Sequence, residues 1–277
     1  MILGIRAHDL GQGSAEQLAR MAAERGLQAV HLAPGKALQP PLLPAQYNPG
    51  AAWQTAQAFA RQGVQIAVLG CYINPVHPDP AVRRAEIARF KTTLRHARDF
   101  GCSVVATETG SRNADCSFHP DNHSETAFVE LLASMQELVL EAEKWGVTIA
   151  LEAAAEHVIH DFPRLHRLLV ALDSNHAQVL LDPVNVMTAA DMRNQAEFFT
   201  RTLALLGPRL VAMHAKDLVL DGEGVRRVAP GKGQIDYADL LRRVGQYMPG
   251  LPVLMEETSG ADMAPALQYL RSFDGLC

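Results

Sequence analysis

Short apolar runs alternate with longer amphipathic segments along the whole chain, and this alternation restricts the possible folds more than any other feature. Strand–helix alternation at this spacing predicts βαβ units and a parallel sheet. Eight repeats in 277 residues fit a closed barrel. An open dinucleotide-binding sheet would show GxGxxG after the first strand, and this chain has no such motif there. The predicted fold class is therefore α/β, a single (β/α)8 TIM barrel formed as one domain by residues 1–277. The predicted strands are 2–7, 28–33, 65–72, 103–109, 148–153, 177–182, 210–216 and 252–258.

Helical periodicity with start and stop signals fills the intervals between these runs. The first helix opens with a Ser-x-x-Gln capping pattern, Ser14 and Gln17. The helix before the fifth strand stops at Trp145-Gly146, where glycine favours a helix end. The predicted helices are 14–25, 51–62, 80–100, 124–145, 161–172, 194–206, 237–248 and 261–271.

Three long loops follow the carboxyl ends of predicted strands, at 34–49, 110–123 and 217–236. Barrel enzymes place their sites on that face, so long insertions there favour a lid or a pocket wall. The third loop contains Asp221-Gly222, which is a hairpin turn signal.

Composition and charge exclude several classes of partner. The net charge of −5 argues against nucleic acid, because binding phosphates needs a basic surface. No apolar run approaches the length of a membrane span, and the amino terminus resembles a first strand rather than a signal peptide. The cysteines, Cys71, Cys102, Cys116 and Cys277, show no metal or disulfide spacing, so free thiols in a reducing cytoplasm are expected. A homo-oligomer is compatible with the sequence.

Four polar side chains share the inward phase at the ends of consecutive predicted strands: Glu152, Asp182, His214 and Glu256. A lone strand-end glutamate is usually just solvated, and a lone inward histidine usually belongs to the core. Four in phase favour a functional site, and three carboxylates in one small space repel each other unless a cation joins them. We therefore predict one divalent metal ion. Three oxygen ligands and one imidazole suit Mn²⁺ first, with Mg²⁺ or Co²⁺ as alternatives.

An ordered set of motifs covers nearly the whole chain. It runs Thr148-Ile-Ala-Leu-Glu152, Leu-Leu-Asp182-Pro-Val-Asn185, Met-His214-Ala-Lys216-Asp217, Pro230-Gly-Lys-Gly-Gln-Ile-Asp236 and Leu-Met-Glu256-Glu-Thr. As a set, these motifs resemble the xylose-isomerase-like barrel superfamily of sugar isomerases and epimerases, including the ketohexose 3-epimerases.

The resemblance implies roles for individual residues. It implies a metal on Glu152, Asp182, His214 and Glu256, with the two glutamates also acting as the catalytic acid–base pair. Arg227, or its neighbour Arg226, precedes Pro-Gly-Lys-Gly like the arginine that contacts substrate in those epimerases. Those enzymes carry histidine where this chain has Asn185, and an amide can bind a hydroxyl but cannot titrate.

Further candidates for substrate binding lie near the same strand ends. They are His8, Tyr72, Asn74, Glu108 and Lys216. For Tyr72, and for the inward Arg6, a buried polar network is an equally good interpretation. Lys216 would hold a carbonyl oxygen or a phosphate, or pair with a carboxylate.

The leading functional hypothesis is an isomerase or epimerase of a sugar or sugar phosphate, which moves a proton through a metal-stabilised enediolate. The substrate would be a small carbohydrate whose identity the sequence leaves open. Two alternatives remain: a metal-dependent dehydratase of an inosose-like cyclic polyol, and a non-catalytic sugar-binding barrel. The trinuclear-zinc endonucleases of the same barrel type are excluded, because they need further histidines and a surface suited to DNA.

Overall fold

A closed barrel of eight parallel strands forms the centre of the molecule, as predicted. The structure is a computed structural model that describes residues 1–222 and 224–276. Neighbouring barrel strands follow the order β1-β10-β7-β6-β5-β4-β3-β2, and β8 pairs with β9 in a separate hairpin. The strands are Ile2–Arg6 (β1), Ala29–Leu32 (β2), Gln65–Gly70 (β3), Val104–Glu108 (β4), Thr148–Glu152 (β5), Ala177–Leu181 (β6), Leu210–Ala215 (β7), Asp217–Asp221 (β8), Gly224–Val228 (β9) and Pro252–Met255 (β10).

All eight predicted helices are present within a few residues of their predicted bounds. The capping box at Ser14 is formed, since its hydroxyl accepts from Gln17 N and the Gln17 side chain accepts from Ser14 N. Two additional helices of four and five residues, α2 and α7, are too short to show a helical period in the sequence. The helices are Ala15–Glu24 (α1), Pro34–Ala37 (α2), Pro49–Ala60 (α3), Pro80–His96 (α4), Glu125–Trp145 (α5), Phe162–Leu172 (α6), Ala189–Arg193 (α7), Gln195–Leu206 (α8), Tyr237–Tyr247 (α9) and Met263–Arg271 (α10).

Alanines are the commonest residues of the barrel interior, while most of the larger side chains pack between the barrel and its helices. In β5, Ala150 faces the axis, and Ile149 and Leu151 belong to the outer core. The predicted strand phase is therefore confirmed, and it aims the polar residues at the strand ends toward the axis. The inner cluster consists of Ala29, Val68, Ala106, Ala150, Leu180, Ala212 and Leu254.

The segment after β7 is a hairpin, as the Asp221-Gly222 signal predicted. Asp221 pairs with Gly224, and Glu223 of the predicted loop 217–236 lies outside the described residues. The segment that follows the hairpin, 229–235, folds back onto Asp217, whose side chain is fully buried. One Asp217 oxygen accepts from the backbone N–H of Gly231 and Gly233, and the other accepts from Ile235 N and Leu218 N, at 2.9–3.1 Å.

The described cysteines, Cys71, Cys102 and Cys116, are free thiols. Burial raises the pKa of Cys102 to about 11, so its thiol is held in the neutral form. Cys277 lies outside the described residues. Over residues 1–222 and 224–276, no helix has the length and apolar character needed to cross a membrane.

We expect Asp217→Ala to lower the free energy of unfolding by roughly 3–5 kcal/mol, because it leaves buried backbone N–H groups without an acceptor. Chemical denaturation of the variant measures this. Asp274→Ala, which removes an exposed carboxylate, should stay within about 0.5 kcal/mol of the native protein. Equal stability of the two variants would contradict the anchoring role of Asp217.

Candidate metal centre

The four predicted ligands converge at the carboxyl ends of four neighbouring strands. Glu152 ends β5, Asp182 follows β6, His214 lies in β7 and Glu256 follows β10. One ligand atom from each lies within 4.8 Å of the others, and all four residues are buried. His214 Nδ1 is 2.5 Å from Glu256 Oε2, 3.1 Å from Glu152 Oε1 and 3.9 Å from Asp182 Oδ2.

The proton on His214 partly neutralises this cluster. Burial opposes its positive charge, but Glu256 and Glu152 together outweigh burial and raise the pKa of His214 to about 10. Burial raises the pKa of Glu152 to about 7, whereas His214 and Lys216 outweigh burial at Glu256 and hold its pKa well below the usual range. Even without a metal, the mutual repulsion of the carboxylates is therefore reduced by the proton that His214 holds.

Lys216 supplies a second positive charge, which contacts the carboxylates of Asp182 and Glu256. Its Nζ lies 3.0 Å from Asp182 Oδ2 and 3.1 Å from Glu256 Oε1, and it donates to Asn185 Oδ1 at 2.9 Å. The Asn185 amide in turn donates to Glu152 Oε1 at 2.9 Å. Both residues were predicted as substrate contacts. In the structure both side chains are buried outside the cavity lining, where the Asn185 amide and Lys216 Nζ contact predicted ligand carboxylates, the pairing that the sequence left open for Lys216.

The donor set fits a divalent metal ion. Asp182 Oδ2 and Glu256 Oε2 are buried and accept no well-directed hydrogen bond, although Lys216 and His214 lie near them. Three carboxylates and one imidazole are ligands suited to Mn²⁺, Mg²⁺ or Co²⁺, and no thiolate is present in this set. A metal on these four residues would replace the proton of His214 and satisfy the two carboxylate oxygens.

A second histidine, His31 of β2, supports the ligand histidine and was not predicted. His31 Nδ1 lies 2.9 Å from His214 Nε2, and the two rings stack with centroids 5.1 Å apart. Burial, followed by the charge of His214, holds the pKa of His31 well below its usual value. His31 is therefore neutral, and its Nδ1 accepts a hydrogen bond from the Nε2–H group of the protonated His214. His31 shares the inward phase of Ala29, and this phase is the sequence feature from which its position near the site could have been predicted.

A cavity of about 140 Å³ opens above the ligands. The Arg6 guanidinium reaches Glu256 Oε1 at 2.5 Å and is also held by Asp9 at 3.0 Å. Burial, with help from Glu152, raises the pKa of Tyr72 well above its usual value, so its hydroxyl stays protonated. The cavity brings together three predicted substrate contacts, two of the predicted ligands, the inward Arg6 and Lys36, which was not predicted. Its lining is Arg6, His8, Lys36, Tyr72, Glu108, Glu152 and Glu256.

Two other predicted substrate contacts lie apart from this lining. The Asn74 amide donates to the carbonyls of Ser111 and Asn113, and its oxygen accepts from Ser111 N. Asn74 therefore holds the 110–123 loop, because its carbonyl and amide are both engaged with loop backbone. Arg227 lies on β9, 4.0 Å from both Glu156 and Glu257 and about two-fifths exposed.

The motif-based resemblance is confirmed by comparison with known families. Residues 19–273 match the family described as xylose isomerase-like TIM barrel, and the chain belongs to this family. A 154-residue segment is 28% identical to the probable L-ribulose-5-phosphate 3-epimerase UlaE of Mycoplasma pneumoniae. That alignment covers 54% of this chain and 46% of the relative, so it spans less than half of that protein's length.

Solved structures share the whole barrel. A D-tagatose 3-epimerase-like protein has a TM-score of 0.76 at 18% identity, with 99% of this chain and 97% of that chain covered. AsbF of Bacillus anthracis, a probable 3-DHS dehydratase, has a TM-score of 0.75 at 14% identity, with 98% of each chain covered. Identities this low show the common fold alone.

We expect His31→Ala to weaken binding of a divalent metal about 10- to 100-fold, because His214 loses the partner that fixes its ring. Titration of the metal-depleted protein with Mn²⁺, followed by calorimetry, measures the affinity directly. His166→Ala removes a histidine from α6 and serves as the matched control, with unchanged affinity. An His31→Ala protein that binds Mn²⁺ like the native chain would leave His31 a packing residue.

Proposed function

We propose that this chain, as one barrel domain, is a divalent-metal-dependent isomerase or epimerase of a sugar or sugar phosphate. The observation that carries the proposal is the position of Glu152 and Glu256. Both side chains line the cavity and both belong to the candidate ligand set. Two carboxylates that face one small polar cavity can exchange protons with a bound polyhydroxylated molecule.

The proposed reaction is a proton transfer beside a carbonyl group. When bound, the metal would act as a Lewis acid toward the carbonyl and the adjacent hydroxyl. One glutamate removes the proton from the neighbouring carbon, and the C–H electrons move into the carbonyl to leave an enediolate. In an epimerisation, the other glutamate returns a proton to the opposite face of the same carbon. In an isomerisation, a proton is instead added to the former carbonyl carbon, while the proton of the adjacent hydroxyl moves to the former carbonyl oxygen.

Other cavity residues would hold the substrate and the catalytic groups in place. Arg6 fixes the Glu256 carboxylate through an ion pair of 2.5 Å, while Asn185 fixes Glu152. The neutral Tyr72 hydroxyl and His8 imidazole can bind sugar hydroxyls, since each can donate or accept. Burial, followed by the Arg6 charge, lowers the pKa of His8 and keeps it neutral.

Glu108 supports the dehydratase as a second candidate. It lines the cavity without belonging to the ligand set, and His157 lies 3.9 Å from its carboxylate. A third carboxyl group at this position could protonate a hydroxyl as it leaves. Elimination would break one C–H and one C–O bond and release water, so the product would be 18 mass units lighter, about the mass of one water.

The decisive experiment incubates the Mn²⁺-loaded protein in D₂O with a panel of ketoses, aldoses, their phosphates and cyclic polyol ketones. After the metal is removed, mass spectrometry distinguishes the outcomes. Gain of one deuterium with a new isomer supports the isomerase or epimerase, and loss of water supports the dehydratase. No metal-dependent change with any compound would favour the non-catalytic sugar-binding barrel.

We expect Glu152→Gln and Glu256→Gln each to abolish turnover, with a loss of at least roughly 10²–10⁴-fold, because an amide cannot accept or return the proton. The kcat of each variant on the substrate found above measures the loss. Glu24→Gln, an exposed change on α1, should keep native kinetics. Native activity in either site variant would remove that glutamate from the acid–base role.

The hairpin from Leu218 to Val228 is expected to close over a bound substrate. The sequence predicts a lid or a pocket wall in the whole loop 217–236. Because Asp217 holds the segment 229–235 in place, we limit the proposed lid to the hairpin. Hydrogen exchange should slow in the hairpin when substrate binds and stay unchanged in 229–235. Arg227→Ala should raise KM, because Arg227 is a partly exposed cation on β9 that closure of the hairpin would bring to the substrate, whereas Arg242→Ala on α9 should not. If hydrogen exchange in the hairpin is unchanged by substrate and Arg227→Ala keeps the native KM, the hairpin has a structural role and is not a lid.

A further inference from the structure

The cations that line or support the candidate site differ in how they are neutralised. Arg6 is held by Asp9 and Glu256, and Lys216 is held by Asp182 and Glu256. Lys36 also lines the cavity, but over the part of the chain that the structure describes no carboxylate lies within 4.0 Å of its Nζ. Among the described residues its charge therefore has no ion-pair partner.

The position of Lys36 directs this charge toward the cavity mouth. Its Nζ lies 5.0 Å from the centroid of the Tyr72 ring, a cation–π contact that keeps the ammonium beside the cavity wall. α2, the short helix Pro34–Ala37, fixes the backbone beneath it. Lys36 is exposed, so the charge remains accessible to a ligand that enters from solvent.

A neutral donor and additional space lie next to Lys36. His8 lines the same cavity, and its Nδ1 is buried without a hydrogen-bond partner in the described chain. A second cavity of about 200 Å³ shares Lys36 and Tyr72 with the first. Arg89 lines it as a further cation, held by the Tyr72 carbonyl and Glu86 at 2.6 Å each.

From these observations we infer that the substrate carries an oxyanion, a phosphate monoester or a carboxylate, which binds to Lys36 beside the Tyr72 wall of the cavity. Lysine is a suitable point charge for such a group, and His8 adds a hydrogen bond. This inference rests on the proposed function and narrows its substrate class to anionic sugars. A neutral ketose would leave the Lys36 charge without a partner.

The test measures binding rather than turnover, so it does not depend on finding the substrate. Calorimetry with the full-length chain in Mg²⁺ compares ribitol, ribitol 5-phosphate and ribonate, none of which has a ketone or aldehyde to react. We expect the native protein to bind ribitol 5-phosphate roughly 10- to 100-fold more tightly than ribitol, as a charged hydrogen bond would give. The preference should shrink in high salt, because Lys36 is exposed.

Two lysine variants separate a specific contact from general charge. Lys36→Met should abolish most of the preference for the anion. Lys144→Met should retain it, and this is a matched control because Lys144 is also exposed and lies 5.5 Å from an aromatic ring, that of Trp145. A Lys36-dependent gain seen with ribonate as well as the phosphate identifies any terminal oxyanion as the ligand. A gain seen with the phosphate alone identifies the monoester.

Two results would overturn the inference: equal affinity of the native protein for ribitol and both anions, or equal losses in Lys36→Met and Lys144→Met. Failure of the proposed function looks different. In that case no compound of the panel exchanges deuterium or loses water, while Lys36-dependent binding of the anion persists.

Discussion

The mutual repulsion of three buried carboxylates is the constraint on which the site depends. Glu152, Asp182 and Glu256 lie around His214 within a few ångströms, in a region where water screens their charges poorly. Three cations contact these carboxylates: His214 among them, Lys216 beside Asp182 and Glu256, and Arg6 beside Glu256. A divalent metal fits this arrangement because it supplies more charge than the proton it would displace.

The barrel interior makes this cluster possible. Four alanines, Ala29, Ala106, Ala150 and Ala212, take up little space in the barrel interior. Long polar side chains can therefore come together at the ends of the strands. The neutral His31 fills the space beside His214, where Gly70 leaves room; a Cβ there would lie 2.7 Å from His31 Nε2. The alanines of the barrel interior and Gly70 therefore make room for the contact between His31 and His214.

Strand phase and order were predictable from the sequence, and so was the convergence of the four ligands. Alternation in β5, β7 and β10 alone placed Glu152, His214 and Glu256 on the axis side. The partners of polar groups were less predictable. Asn185 and Lys216 share the inward phase, but a period of two cannot tell whether a side chain faces the cavity or a neighbouring carboxylate. Asn74 illustrates the same limit, since its loop partners at 111 and 113 come together only in the folded chain.

Asn185 also determines where protons can be held. A titrating residue at this position could share the proton with Glu152, but an amide only donates to it. Asn185 therefore orients Glu152 without taking up its proton. Because Asn185 also accepts from Lys216, it couples the orientation of Glu152 to the lysine that supports Asp182 and Glu256. Asn185, Lys216 and the three carboxylates are thus one connected polar unit, whereas Lys36 on α2 and Arg227 on β9 are exposed.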